Sequence, residues 1–372
     1  MVGASVFYGL AARIRLCESI SSGLRKSAGA GSPHYAVGVL YRGTTMASAI
    51  AEAGLWILIL SAALVQSGWA GSATGCDRTC LEFFANRYLA ALVAHDKSGV
   101  AAVEGVKYTE NQQIVPLGQG LWQTAVEIGS YRIYACDVNN SQIAFMGNIR
   151  TTLGWSMMAL RLRIKDAHIT EIETIFPGSA AGSGTYDLSA GAGRLKAARP
   201  AFSTALLPAE RRDRSQLIWS ADLHYEGIER GNGDIVPFGD GCIKVENGVQ
   251  LIRNPDFHSP GVSPSGKPVP NFTAMGCRDQ FNTHIWETDR VTDRRYPVVD
   301  EERGIAVAFA MYNQYIMGPC ANVVDYGTVC PPSQTDPYTL VMAEAFKVRA
   351  GKIEEVESIF TPLPTLRLRG VW

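Results

Sequence analysis

Residues 159–176 read ALRLRIKDAHITEIETIF, and residues 345–360 read AFKVRAGKIEEVESIF. Each is a run of strand composition, a charged tight turn, and a second strand of the pattern I-x-x-(I/V)-E-x-I-F. A second pair of matching segments precedes them in the same order: Tyr108-Thr109-Glu110-Asn111 and Lys244-Val245-Glu246-Asn247. One match could arise by chance, but two in the same order imply an internal duplication.

Outward from these hairpins the two halves follow one plan. Leu81, Phe84, Tyr88, Leu89, Leu92 and Val93 recur at helical spacing within Cys76 to His95. Leu217, Ile218, Ala221, Tyr225 and Ile228 do the same within Arg211 to Arg230. Strands are expected in the first half at 106–111, 131–136, 142–150, 155–164 and 168–175. In the second half they are expected at 239–247, 296–299, 305–311, 338–348 and 353–360, with an extra helix over Met275 to Trp286. Gly118, Gly120 and Trp122 mark a loop entering a helical turn, and the Gly/Ala/Ser-rich stretch 178–200 reads as a linker.

A helix, a short strand, then long antiparallel strands ending in a G-K-I-x-E-V-E-like hairpin: this order resembles the nuclear transport factor 2-like (SnoaL-like) superfamily. The first half, with CLEFFANRYLAALVAHD and YTENQQIVPLGQGLW, looks like a group of secreted fungal and bacterial proteins with that fold. The resemblance implies an α+β chain: two cone-shaped α+β barrels in tandem, the first over 76–177 and the second over 201–364, with a tail at 365–372. It also implies a pocket at each cone's open end, and it spans dehydratases, cyclases, isomerases and pure binding modules.

The N-terminal part reads as an export signal. Leu55 to Val65 is an apolar run of 11 residues, too short for a bilayer and suited to a signal peptide, with small residues at 67–73 behind it. Met46 offers an alternative start, and residues 1–45 have the composition of a transit peptide or an upstream extension, so residues 1–72 are set apart from the fold. Seven of the eight cysteines and two sequons, at Asn139 and Asn271, follow this region. Cys320–Cys330 and Cys242–Cys277 are the expected disulfides, and the odd count leaves one thiol free or paired between chains. With 34 basic against 35 acidic residues and no basic stripe, nucleic acid is not an expected partner.

No dinucleotide fingerprint, P-loop, nucleophile elbow or metal spacing is present in the sequence, so a cofactor-free, metal-free acid–base mechanism is the economical expectation. Glu110 and Glu246 occupy matching positions and are the first candidates for moving a proton, with a turn-stabilising role as the alternative. His284 is a third candidate base. Arg278, Asn247 and Tyr312 could hold a developing oxyanion, and Tyr108, Trp122 and Tyr296 could bind an aromatic or polyketide-like ligand. The expected activity is that of a secreted lyase or isomerase on a small apolar or aromatic metabolite, as in secondary metabolism. The alternatives are a non-catalytic binding module, or a dimer-like scaffold with one active half. A homodimer and a small-molecule ligand are the expected partners, with no membrane span after signal cleavage.

Overall fold

The computed structural model describes residues 76–178, 189–257, 269–330, 336–363 and 366–372. The signal region and upstream extension lie outside them. The first unit runs α1 (Arg78–Ala94), β1 (Ala102–Glu110), β2 (Gln113–Ile114), β3 (Ala125–Asp137), β4 (Gln142–Thr151), β5 (Gly154–Lys165) and β6 (His168–Ile175). Two short helical turns follow, α2 (Ser189–Ala192) and α3 (Pro200–Ser203). The second unit runs α4 (Arg214–Arg230), β7 (Phe238–Glu246), β8 (Val249–Gln250), α5 (Cys277–Phe281), β9 (Arg290–Asp300) and β10 (Ile305–Gln314). It continues through β11 (Ala321–Val323), β12 (Gly327–Val329), β13 (Tyr338–Arg349) and β14 (Lys352–Pro362).

The fold is α+β, and the two six-stranded sheets have one strand order, β2-β1-β6-β5-β4-β3 and β8-β7-β14-β13-β10-β9. Within each, only β1/β6 and β7/β14 pair in parallel. From helix to second strand the units match without a gap at a constant shift of 136 residues, as from Arg78 to Arg214. The caps match too. Asp77 and Asp213 accept from the backbone N–H of Cys80 and Gln216, and each helix ends on a left-handed residue, His95 or Gly231. Asn111 and Asn247 both sit at positive φ, and each side chain bonds the backbone N–H and C=O of the hairpin's last residue, Phe176 or Phe360.

Neither sheet closes into the barrel expected from the sequence. β2 and β8 have two residues each, too few to pair with the far edge strand. The inserted helix is also shorter than expected, five residues rather than Met275 to Trp286, and His284 at φ 65° leaves the helical region. The linker is partly built into the fold: Ala192 is buried, and Gly193 lies against the Trp155 ring.

Three cores result. One lies between α1 and its sheet, one between α4 and its sheet. The third lies between the two outer sheet faces, with Tyr131, Ile133, Met146 and Met157 from the first unit against Val298, Val307, Phe309 and Met311. Its rim is reciprocal. Arg78 of the first unit donates to Asp300 of the second at 2.7 Å, and Arg214, its counterpart, donates to Asp137 of the first. Asp300 also accepts from the N–H of Cys136, and Asp137 from the N–H of Val299, both at 3.0 Å. Residue-for-residue exchange of this kind defines an isologous contact, the kind a twofold dimer makes, here within one chain. Asp137→Ala and Asp300→Ala should each cost about 3 kcal/mol in chemical denaturation, because each strands a buried N–H and removes a buried carboxylate from an arginine. A loss at one position and none at the other would contradict the reciprocity.

Candidate functional site

The interior of the second unit carries a lysine and a carboxylate where that of the first has a tyrosine and a leucine. On α4, His224 and Tyr225 are buried; on β7, Lys244 faces inward beside Glu246; Glu344 on β13 and Ser358 on β14 complete the group. Lys244 Nζ lies 3.1 Å from Glu246 Oε1 and 3.4 Å from Glu344 Oε1, and the Ser358 hydroxyl donates to the same Glu344 oxygen. Burial works against ionising Glu344, but the Lys244 charge and its other neighbours hold its pKa below the ordinary value. Lys244 is held above its own ordinary value by the two carboxylates, against the opposing effect of burial. Burial, reinforced by Lys244, depresses His224 to about 3, so its imidazole is neutral at physiological pH.

At the equivalent positions the first unit has Tyr88 for His224, Tyr108 for Lys244 and Leu160 for Glu344, as the shared shift and the pairings Leu160/Thr174 and Glu344/Ser358 establish. Its interior is closed by two bonds from these side chains: Trp122 Nε1 donates to Tyr88 at 3.1 Å, and Tyr108 donates to Glu110 at 2.8 Å.

The second unit also carries a cap. Its connection from β8 to β9 covers 251–289, against 115–124 in the first unit, and that from β10 to β13 covers 315–337, against 152–153. The two insertions pack on each other through Phe272, Ala321, Val323 and Val329. Each carries a disulfide, Cys242–Cys277 tying α5 to β7 and Cys320–Cys330 closing a loop of the second insertion. Ile252, Cys277, Gln280 and Phe281 of the cap pack against His224, Phe238, Lys244 and Val356, leaving no space between them for a water molecule. Beyond this contact Asp289 is buried; it accepts from Tyr312 Oη at 3.0 Å and from the Tyr315 N–H at 2.9 Å. Burial raises Asp289 to about 7. Tyr312 is within electrostatic reach of both Glu246 and Glu344 and is pushed well above the ordinary tyrosine value, first by burial.

Of the residues singled out from sequence, the structure brings Glu246 and Tyr312 into this interior. Glu110, Tyr108 and Trp122 meet inside the first unit, where Glu110 accepts from the Leu121 N–H at 2.8 Å and fixes the helical turn at Gly120. Its role there is in the loop across the sheet, not in the tight turn beside it. The other four lie elsewhere. His284 packs over Gly231, is 42% exposed and approaches Glu287 at 3.4 Å, while Arg278 faces Asp234 at the surface. Asn247 spends its amide on Phe360, and Tyr296 donates to Asp222 at 2.7 Å, joining α4 to β9. His224, Lys244, Glu344 and Asp289 carry no motif that sets them apart in the sequence. The available signal was a charged residue at an inward position of an apolar strand, as in LVMAEAF.

A third disulfide, Cys76–Cys80, braces the start of α1. Cys136 is the free thiol among the described residues, and burial raises it to about 12, which makes it a poor nucleophile. Three disulfides fit an oxidising, extracellular-type compartment. No helix among the described residues is long and apolar enough to cross a membrane. The two sequons differ. Asn139 is exposed and donates to Glu301, whereas the Asn271 amide holds Pro255 O and its partner Thr273 is buried. In a glycosylating host, intact mass should therefore drop by one glycan in Asn139→Gln and stay unchanged in Asn271→Gln; the reverse pattern would refute the assignment.

Residues 210–360, from the turn before α4 to the end of the last hairpin, match the model of a family described as a domain of unknown function (DUF8021). No curated protein and no solved structure matches the chain.

Proposed function

We propose that the chain is a secreted, cofactor-independent acid–base enzyme of the lyase or isomerase type, of nuclear transport factor 2-like architecture, whose second unit acts on a small, largely apolar or aromatic metabolite. The observation that carries this reading is the replacement of Tyr88, Tyr108 and Leu160 by His224, Lys244 and Glu344 at matching interior positions. Buried charges are costly where stability alone is at stake, and at these three positions the first unit does without them. Asp289, titrating near 7, would exchange the proton, with Glu246 as a second carboxylate. Tyr312 Oη and Lys244 would stabilise oxygen-centred charge. The first unit would serve as the fixed half of a dimer-like scaffold.

The close packing of the cap on this interior favours a second reading, a binding module that holds its ligand without turnover. The test is to incubate the secreted protein with culture extract of its producer and follow consumption by mass spectrometry, beside Asp289→Asn and Tyr312→Phe. A compound consumed by wild type, and at least a hundredfold more slowly by Asp289→Asn, supports the enzyme. A compound retained unchanged on the protein supports the module. Equal consumption by all three proteins rules out this site.

A further inference from the structure

Residues 366–372 cross from the second unit to the first as extended chain that joins no sheet. On the second unit, Thr292 Oγ1 donates to Leu368 O and the Gly370 N–H donates to Asp293 Oδ2, both at 2.8 Å. On the first, the Val371 N–H donates to Gln112 Oε1 at 2.9 Å, and Lys107 Nζ donates to Val371 O at 2.6 Å. Trp372 Nε1 donates to Thr109 Oγ1 at 2.9 Å. Its indole ring lies 3.8 Å from Lys107 Nζ and 4.5 Å from the Arg161 guanidinium carbon. The backbone of this tail is thus held by side chains, two of them, Thr109 and Gln112, buried.

The receiving surface is selective at two positions. A Cβ on Gly370 would meet Gln112 Oε1 at 2.5 Å and Asp293 Oδ2 at 2.9 Å, so glycine is what lets both acceptors reach the backbone. At Trp372 a ring with an electron-rich face and an N–H donor meets two cations and a hydroxyl, a combination that tryptophan supplies best. Arg161 is already anchored by Glu171 and Glu173, so its guanidinium is in place for the ring. The crossing also has a counterpart. Gly191, in the segment that follows the first unit's hairpin, lies against Gly248 and Val249 of the second unit. Gly248 is the residue matched to Gln112 by the shared shift of 136. Each unit's trailing segment therefore meets the same turn of the other unit through a glycine, as arms exchanged across a twofold do. Residues 366–369 are exposed, so the second arm rests on the surface of the seam.

We propose that the surface formed by Lys107, Thr109, Gln112, Arg161 and Asp293 is a peptide-recognition site for an extended segment of the pattern Gly-apolar-Trp, and that the chain's own tail is its resident, exchangeable ligand. The site is separate from the acid–base interior of the second unit and shares no residue with it. Tethering gives the tail an effective concentration on the order of millimolar at the site, so a free peptide of the same sequence competes poorly until the tail is released. Release needs no strand to be unzipped, because the arm makes no ladder of backbone bonds with either sheet.

The test is fluorescence anisotropy of a labelled peptide LRLRGVW, residues 366–372, titrated with full-length protein. The double variant Gly370→Ala/Trp372→Ala, which keeps the chain at full length but unseats its tail, should bind the peptide at least about tenfold more tightly than wild type does. A peptide carrying the Gly370→Ala change should bind this variant at least about tenfold more weakly, and a scrambled peptide of the same composition should not bind. Adding Lys107→Met to the variant should weaken the native peptide about fivefold. Trp372→Ala alone serves where the double variant does not fold. Equal binding to wild type and to the released variant, or binding to neither, overturns the proposal. So does a scrambled peptide that binds as well as the native one, which would reduce the contact to charge attraction.

Discussion

Replacing Glu357 by Gln is expected to stabilise the protein by about 4 kcal/mol at pH 8 and to change nothing at pH 4. Glu357 and Glu173 occupy the same position in the two hairpins and both face the seam between the sheets. Glu173 is matched there by Arg161 at 2.9 Å and Arg295 at 2.6 Å. In the second hairpin the residue opposite Glu357 is Ala345 rather than an arginine. What faces Glu357 is the Tyr131 hydroxyl at 2.8 Å, with Arg199 and Glu355 further off, and its Oε1 is unpartnered. Burial therefore raises its pKa from 4.5 to about 8. The folded chain holds this proton across a range in which the unfolded chain has released it. The stabilisation is complete below about pH 4.5 and is lost progressively as pH rises to 8. Asp289 slopes the same way between 3.8 and about 7. His224, depressed from 6.5 to about 3, slopes oppositely, its contribution present above 6.5 and lost on acidification. Only the difference between Glu357→Gln and wild type isolates Glu357. Urea denaturation at pH 4, 6 and 8 measures it, and a difference independent of pH would mean that Glu357 is ionised in the folded seam.

The sequence was most legible where side chains alternate or recur without charge, and least where charges lie inside the fold. The twin hairpins and both long helices follow directly from their apolar spacing. The first half of β3 escapes because Gly129, Ser130 and a register shift between Ile128 and Arg132 break its alternation. The first half of β9 escapes because VTDRRY looks like surface, although Arg294 and Arg295 are spent on carboxylates of α4 and of the first unit's Glu173. For the site, the matched pair Glu110 and Glu246 was readable as a repeat, but their different neighbours were not. Those neighbours are fixed by contacts across the fold: Gly120 and Leu121 for one, Lys244 and through it Glu344 for the other. Asp289 precedes a strand in an insertion, and its burial depends on Tyr312, which lies 23 positions further along the chain.

The second large effect separates function from stability within the same interior. Lys244→Met should cost about 3 to 5 kcal/mol, because it leaves Glu344 without its main counter-charge in a fully buried place. Adding Glu344→Leu should recover most of that loss, since leucine is the residue the first unit places at the matching position beside Thr174, and two apolar groups leave no stranded charge. Glu246 keeps some contact with solvent, at 20% side-chain exposure, and tolerates the loss of its lysine better than Glu344 does. If Lys244 and Glu344 are there to stabilise the fold, the double variant should remain well below wild type in denaturant midpoint. If they form the working interior, the double variant should approach wild-type stability and lose ligand or turnover altogether. The coupling energy of the double-mutant cycle measures the first point, and the extract assay on the refolded double variant the second. A double variant that is both stable and active would place the chemistry outside this group, with Asp289 and Tyr312 as the remaining pair to test.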